Sequence, residues 1–190
     1  MLFATLYLPN FQLQAALRQA VFIDQGRAAE TRATALVGNE KKPVVLQLNE
    51  AAQKQGVHRG MSPSQALARS LGLLLVSPQP EQETALQEIV LEQAFTLSPY
   101  VEATAPGIAT VQFMDARNRE NEIFQVIEHF KTCGISARAG LGPTPDISFL
   151  AAHLAAPILQ VTDASEFLAP LPLEVLLETS GGAVGRTSDA

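Results

Sequence analysis

Two rhythms of apolar and polar positions run along this chain. Leu2 to Leu8 (LFATLYL) is a nearly unbroken apolar run stopped by Pro9, as expected of a strand buried on both faces. Asn10 then stands as the cap of a helix that begins at Phe11, with Phe11 and Ala15 at helical spacing. The run from Pro43 to Leu48 predicts a second strand, followed by Asn49 as N-cap of a short helix that Gly56 ends. Ser62 ahead of Pro63 pairs an N-cap with proline at the first helical position, and Gly72 closes that helix. Leu73 to Val76 predicts a short strand.

From Glu81 to Leu97 the residues Leu86, Ile89, Val90, Ala94 and Leu97 fall on one helical face. Ile108 to Met114 predicts a strand. Asn118 to Thr132 predicts a helix through Ile123, Val126, Ile127 and Phe130, ended by Gly134. Ile135 to Leu141 predicts a strand and Asp146 to Ala155 a helix, while Asp163 and Glu166 have capping-box spacing. This alternation from residue 73 onward predicts an α/β (α+β) fold: a ferredoxin-like sheet with helices on one face. The Leu2–Leu8 strand is expected in the middle of the sheet, beside Ile108–Met114. Residues 11 to 72 are expected to form a small, mainly helical insertion.

Composition narrows the function classes. The chain has 190 residues, 47% apolar and 17% charged, which suits a packed core rather than disorder. Its net charge of −6 and pI near 5.0 leave no basic stripe for strong nucleic-acid binding by this chain alone. Lys41, Lys42, Arg59 and Arg69 are the candidate DNA contacts. The single Cys133 excludes an internal disulfide and suits a reducing compartment. No basic residue precedes Arg18, and Pro9, Asn10, Gln12 and Gln14 interrupt the apolar N-terminus, so neither a signal peptide nor a membrane span is expected. A soluble, cytoplasmic protein is expected.

Isolated chemical signals are few. His129 and Cys133 stand four apart, a spacing that can hold a metal. With no second pair beside them, Cys133 is expected to be a buried small apolar residue. Gly140-Leu141-Gly142-Pro143-Thr144 and Gly181-Gly182 lack the Lys-Ser/Thr ending of a phosphate loop, so the first is expected to be a strand-to-helix turn and the second a flexible tail. Residues alone point to no cofactor.

Four ordered stretches resemble Y-family (UmuC/DinB-type) translesion DNA polymerases, and more closely their catalytically inactive ImuB-like homologues. Leu6-Tyr7-Leu8-Pro9-Asn10-Phe11 with Gln14-Ala15-Ala16-Leu17 is similar to the ImuB opening. Asn49-Glu50-Ala51-Ala52, Gly56-Val57, Gly60-Met61 and Ala66 are similar to the fingers. Ser98-Pro99-Tyr100-Val101-Glu102 resembles the lead-in to the family's central catalytic strand, with Glu102 expected before that strand. Ala139-Gly140-Leu141-Gly142-Pro143-Thr144-Pro145 resembles a strand, turn and helix, and Leu171-Pro172-Leu173 the opening of a thumb. The resemblance covers residues 3 to 175. It implies a palm-like part at 1–10 and 73–165, a fingers-like insertion at 11–72, and the start of a thumb with a frayed tail at 166–190.

The resemblance also implies what is replaced. The family's metal-binding carboxylates fall on Tyr7, Pro9, Gly107 and Ile108; shifted registers bring Ala105, Pro106 or Ala109, and a further acidic position falls on Gln112. The nearest acid is Asp115. Residues that touch triphosphate in the family fall on Glu50, Gln53 and Phe149, and Phe11, near the sugar-discriminating aromatic, is expected in the core. No catalytic residue, metal or cofactor is therefore assigned.

By resemblance, the function is a non-catalytic accessory role in translesion repair. The partners implied are an error-prone DnaE-type polymerase, an ImuA-like protein and the sliding clamp, held mostly through regions beyond this chain. DNA is expected to bind weakly or only within a complex. A fragment of a longer protein, or a truncated relative, would end where this chain does. Two alternatives remain at this point: an active nucleotidyltransferase whose ligands lie elsewhere, among Glu50, Glu102 and Asp115, or a ferredoxin-like interaction domain unrelated to DNA.

Overall fold

The first strand sets the architecture. Leu2–Tyr7 (β1) places Ala4 and Leu6 on one face and Phe3, Thr5 and Tyr7 on the other, and Ala4, Thr5 and Leu6 are all fully buried. A strand so enclosed must pair on both edges, and it does. In a computed structural model that describes residues 1–23, 32–115 and 119–172, it is the central strand of a five-stranded sheet ordered β5-β6-β1-β7-β8. The chain divides into one unit of residues 1–9 and 88–190 and a second of residues 10–87.

In the first unit, Val101–Ala105 (β5) and Ile108–Phe113 (β6) form a hairpin whose turn holds Gly107 at φ 76, a conformation that β-branched or bulky residues strongly resist. Beside β6 lies β1, antiparallel, with Leu2 opposite Phe113 and Tyr7 opposite Ile108. On its other edge β1 pairs antiparallel with Arg138–Gly142 (β7), which runs parallel to Ile158–Gln160 (β8). The Leu6 face also carries Val111, Phe113, Ala139 and Leu141, each at most 1% exposed.

The helix Arg119–Thr132 (α5) serves that face: its Arg119 guanidinium lies 4.9 Å from the Phe113 ring, and its Ile123, Val126, Ile127 and Phe130 are buried. Helix Pro145–Leu154 (α6) packs on the opposite face. Thr144 caps it, accepting from the Ile147 amide, and Pro145 follows at the first helical position. Ser148 Oγ lies 2.9 Å from Thr5 Oγ1, and a Cβ placed on Gly140 would fall 2.2 Å from the Ser148 carbonyl. The mixed α/β fold is as expected, but helices cover both faces of this sheet. Alternating small residues on the Thr5 face, Gly140 and Gly142, leave a shallow bed for α6. A short helix, Ala164–Leu168 (α7), follows β8 and is capped by Asp163, whose carboxylate accepts from the Ser165 and Glu166 amides.

The second unit holds more strand than its composition suggests. Thr34–Val37 (β2), Val45–Leu48 (β3) and Leu74–Val76 (β4) form a sheet ordered β3-β2-β4, with β2 antiparallel to β3 and parallel to β4. The expected strand at residues 73–76 thus pairs here and not with β1. Helices Phe11–Ile23 (α1), Glu50–Lys54 (α2) and Pro63–Arg69 (α3) complete the unit, together with the start of Pro80–Leu97 (α4), within which the division falls. Asn49 caps α2 through Ala52 N and also accepts from Thr34 N, tying helix to strand. Ser62 and Gln65 form a reciprocal capping box on α3. Ala33, Ala35, Val45, Ala52, Val57, Ala66 and Leu73 make the core. The expected helix start at Asn118, Leu173 of the thumb-like motif, the tail after it and Gly181-Gly182 lie outside the described residues.

Candidate functional site

The end of β1 gathers most of the positions that the polymerase resemblance assigns to catalysis. Strand pairing puts Tyr7 between Ile108 of β6 and Arg138 of β7. Just beyond, the Leu8 amide donates to the Gly107 carbonyl at 2.9 Å, which draws the Leu8–Pro9 segment to the β5–β6 turn. Tyr7, Pro9, Gly107 and Ile108 are therefore neighbours. Phe149 joins them through α6, where residues four apart share a stripe. Its ring centroid lies 4.4 Å from that of His153, and His153 stacks on Tyr7 at 4.1 Å with an interplanar angle of 21°.

His153 and Arg138 are site residues that sequence reasoning did not single out. The i,i+4 pair Phe149 and His153 on a helix following a Gly-x-Gly strand was the available signal. Arg138 Nη1 donates to the His153 carbonyl at 3.3 Å, and His153 Nδ1 donates to the Phe149 carbonyl at 2.9 Å. Since a carbonyl only accepts, the neutral ring carries its proton on Nδ1. Burial lowers the His153 pKa below its usual value, and the Arg138 charge lowers it further, against the opposing pull of the Phe149 carbonyl.

That shift has a stability consequence. The unfolded imidazole, with its pKa near 6.5, takes up a proton before the folded one does. His153 therefore costs the fold nothing above that pH and destabilises it as the pH falls below. The urea midpoint of the native protein should drop more between pH 7.5 and 5.5 than that of His153→Phe, which keeps the stack and cannot titrate. Equal drops would refute the assignment.

A polar file runs beneath this aromatic group. Thr104 and Thr110 hydroxyls are 2.7 Å apart, Thr110 and Thr5 3.3 Å, and Thr5 and Ser148 2.9 Å, while Ser148 Oγ donates to the Pro145 carbonyl at 2.8 Å. Each hydroxyl has one proton, so with Ser148 donating to Pro145, Thr5 donates to Ser148 and Thr110 to Thr5; the Thr104 proton has two acceptors, Thr110 Oγ1 at 2.7 Å and the Glu102 carbonyl at 3.5 Å.

The acids lie elsewhere. Glu102 is within β5, exposed and opposite Thr110, ahead of β6. Gln112 pairs with Phe3, four residues along β1 from Tyr7, a separation of about 13 Å. Asp115 follows the far end of β6. Among the described residues no group of three or more His, Cys, Asp or Glu could hold a metal ion.

In the second unit, Glu50 is exposed and paired with Lys54 at 2.8 Å, whose hydrogen bond and charge lower the Glu50 pKa. Gln53 is exposed on the same short helix, and Phe11 is buried as expected. The candidate DNA contacts sit on three elements: Lys41 and Lys42 exposed in the β2–β3 connection, Arg59 in an exposed turn, and Arg69 in the last turn of α3. Arg59 Nη2 donates to Asn10 Oδ1 at 3.1 Å. Cys133 is exposed, contrary to expectation. Among the described residues no helix is long and apolar enough to cross a membrane.

Comparison with known proteins gives a consistent picture. Residues 17–153 match the impB/mucB/samB family. DinB from Sulfolobus solfataricus is similar in structure, with a TM-score of 0.73 at 15% identity over 96% of this chain and 58% of its own. Dbh DNA polymerase in its insertion ternary complex gives 0.77 at 12% identity over 92% of this chain and 53% of its own. A second Dbh ternary complex gives 0.76 at 14% identity, over 92% and 52%. This chain thus spans little more than half the length of these structures. No curated protein matches it.

Proposed function

The chain belongs to the impB/mucB/samB family, and from that membership we propose that it is a non-catalytic Y-family polymerase-like accessory protein, an ImuB-type adaptor in translesion DNA repair. One observation carries the reading. Where two-metal nucleotidyl transfer needs a cluster of carboxylates, the end of β1 presents Tyr7 stacked on His153, with Ile108 and Arg138 beside it. Arg138, paired with Tyr7 across the strands, adds a positive charge beside that position, and by resemblance Phe149 replaces a basic residue expected to face triphosphate. Glu50, drawn to Lys54, would repel a triphosphate.

In this reading residues 1–10 and 73–165, apart from β4, form the palm-like part. Residues 11–72, with β4, form the fingers-like part, and residues from 166 begin a thumb. The protein works in the cytoplasm by bringing an error-prone DnaE-type polymerase and an ImuA-like protein to the sliding clamp. It requires no cofactor. DNA reaches it mainly through that assembly, because 13 basic residues face 19 acidic ones and long-range repulsion opposes a polyanion.

Primer extension tests the proposal. Purified protein with primer-template DNA, all four deoxynucleotides and either Mg²⁺ or Mn²⁺ should extend no primer. Template-directed incorporation that co-purifies with the protein and is lost in Tyr7→Ala would overturn the reading and restore an active nucleotidyltransferase.

A further inference from the structure

The C-terminal turn of α5 holds two metal-binding side chains at chelating distance. Cys133 Sγ lies 3.9 Å from His129 Nε2, and both residues are exposed. A tetrahedral zinc ion with sulfur at about 2.3 Å and nitrogen at about 2.05 Å sets its two donors about 3.6 Å apart. The observed separation differs from that bite by a few tenths of an ångström, within the reach of a small side-chain rotation. We propose that His129 and Cys133 form a two-donor site for a borderline-soft divalent cation such as zinc, bound through imidazole Nε2 and thiolate sulfur.

The backbone beneath the pair is fixed independently of any ligand. Ile135 N donates to the Phe130 carbonyl at 2.9 Å and Gly134 N to the Lys131 carbonyl at 3.0 Å, the two bonds of a Schellman closure, with Gly134 at φ 68. Phe130 and Ile135, the apolar partners of that closure, are buried. His129 and Cys133 are thus held on a locked turn, with little backbone entropy left to lose on binding. The negative end of the helix dipole favours a cation there. Neighbouring groups do not compete: Lys131 pairs with Glu128 at 3.3 Å, and the Thr132 hydroxyl donates to the His129 carbonyl at 2.7 Å.

On binding, the thiol proton passes to solvent and the metal takes its place on sulfur. Two coordination positions stay open. Water can fill them, or the same pair from a second copy can.

Cobalt reports the site directly, since a thiolate–cobalt bond gives a near-ultraviolet band. Reduced protein titrated with Co²⁺ at pH 7.5 should develop this band with a dissociation constant between roughly 1 and 200 µM, about half the binding free energy of a four-donor structural site. Cys133→Ser should abolish the band, and His129→Ala should weaken binding by at least about tenfold with an unchanged circular dichroism spectrum. No sulfur band up to about 1 mM Co²⁺, or equal affinity in His129→Ala, would overturn the proposal. Sedimentation at saturating Zn²⁺ then tells how the sphere is completed. One ion per chain at unchanged mass indicates water, and one ion per two chains at doubled mass indicates a second copy.

Discussion

Gly140→Ala should destabilise the first unit by at least about 3 kcal/mol, the upper range for overpacking a core. The added methyl would fall 2.2 Å from Ala152 N, 2.2 Å from Ser148 O and 2.6 Å from Ala151 C. All three are main-chain atoms of α6, so no side-chain rotation relieves the clash. The helix must lift from the sheet, and lifting it strains the Thr5–Ser148 bond and the Tyr7–His153 stack together. Gly72→Ala is the matched control, because a Cβ there meets nothing within 4 Å. Urea denaturation of the two variants decides the matter. A Gly140→Ala midpoint within experimental error of the native protein would show that α6 does not rest on β7 as described.

Thr5→Val ranks second, with an expected loss of about 1–3 kcal/mol from near-isosteric removal of one buried hydroxyl. Thr5 is the middle of the directed file of hydroxyls. Without it Thr110 loses its acceptor and Ser148 its incoming donor, both in a buried setting. Ser148→Ala breaks the same file one step on and should cost a similar amount. Since both substitutions damage one network, the double variant should be cheaper than the sum of the singles by about 0.5–3 kcal/mol. Additivity within about 0.3 kcal/mol would mean that the hydroxyls act as separate pairs.

What could be read from the sequence follows how strongly each element's pattern is enforced. β1 and β6 are long apolar runs, and their central, adjacent placement was legible for that reason. α5 announced itself through Ile123, Val126, Ile127 and Phe130 on one stripe. β2 was missed because four residues, Thr34–Val37, are too few to show a period, although all four are buried. β5 was missed for the opposite reason: Glu102, Ala103 and Thr104 are exposed, so the strand exists by backbone pairing to β6 with little hydrophobic pattern. β8 is three residues long, and only its parallel pairing to β7 defines it.

The candidate site shows the same division. Its strand positions, Tyr7 and Ile108, came from the family resemblance, and the pairing register makes them neighbours. His153 was not legible, since its role depends on which sheet face receives α6. That choice rests on side chains that are absent, the missing Cβ atoms of Gly140 and Gly142. Cys133 was misjudged because a small thiol suits either a core or a surface, and only the Schellman closure turns it outward.

The central position of β1 also bears on how the chain reaches its native state. The residues that flank this strand are far off in sequence: Thr5 meets Thr110 after 105 residues and Ser148 after 143. During synthesis β1 emerges before β6 and β7 and must wait until Gly142 has left the ribosome before both of its edges are paired. The β3-β2-β4 sheet, by contrast, closes within residues 34–76. β1 is thus made well before it is enclosed, and such long-range pairing is slow. A nascent Leu2–Leu8 segment, apolar and with both edges open, is where transient chaperone binding would be most useful.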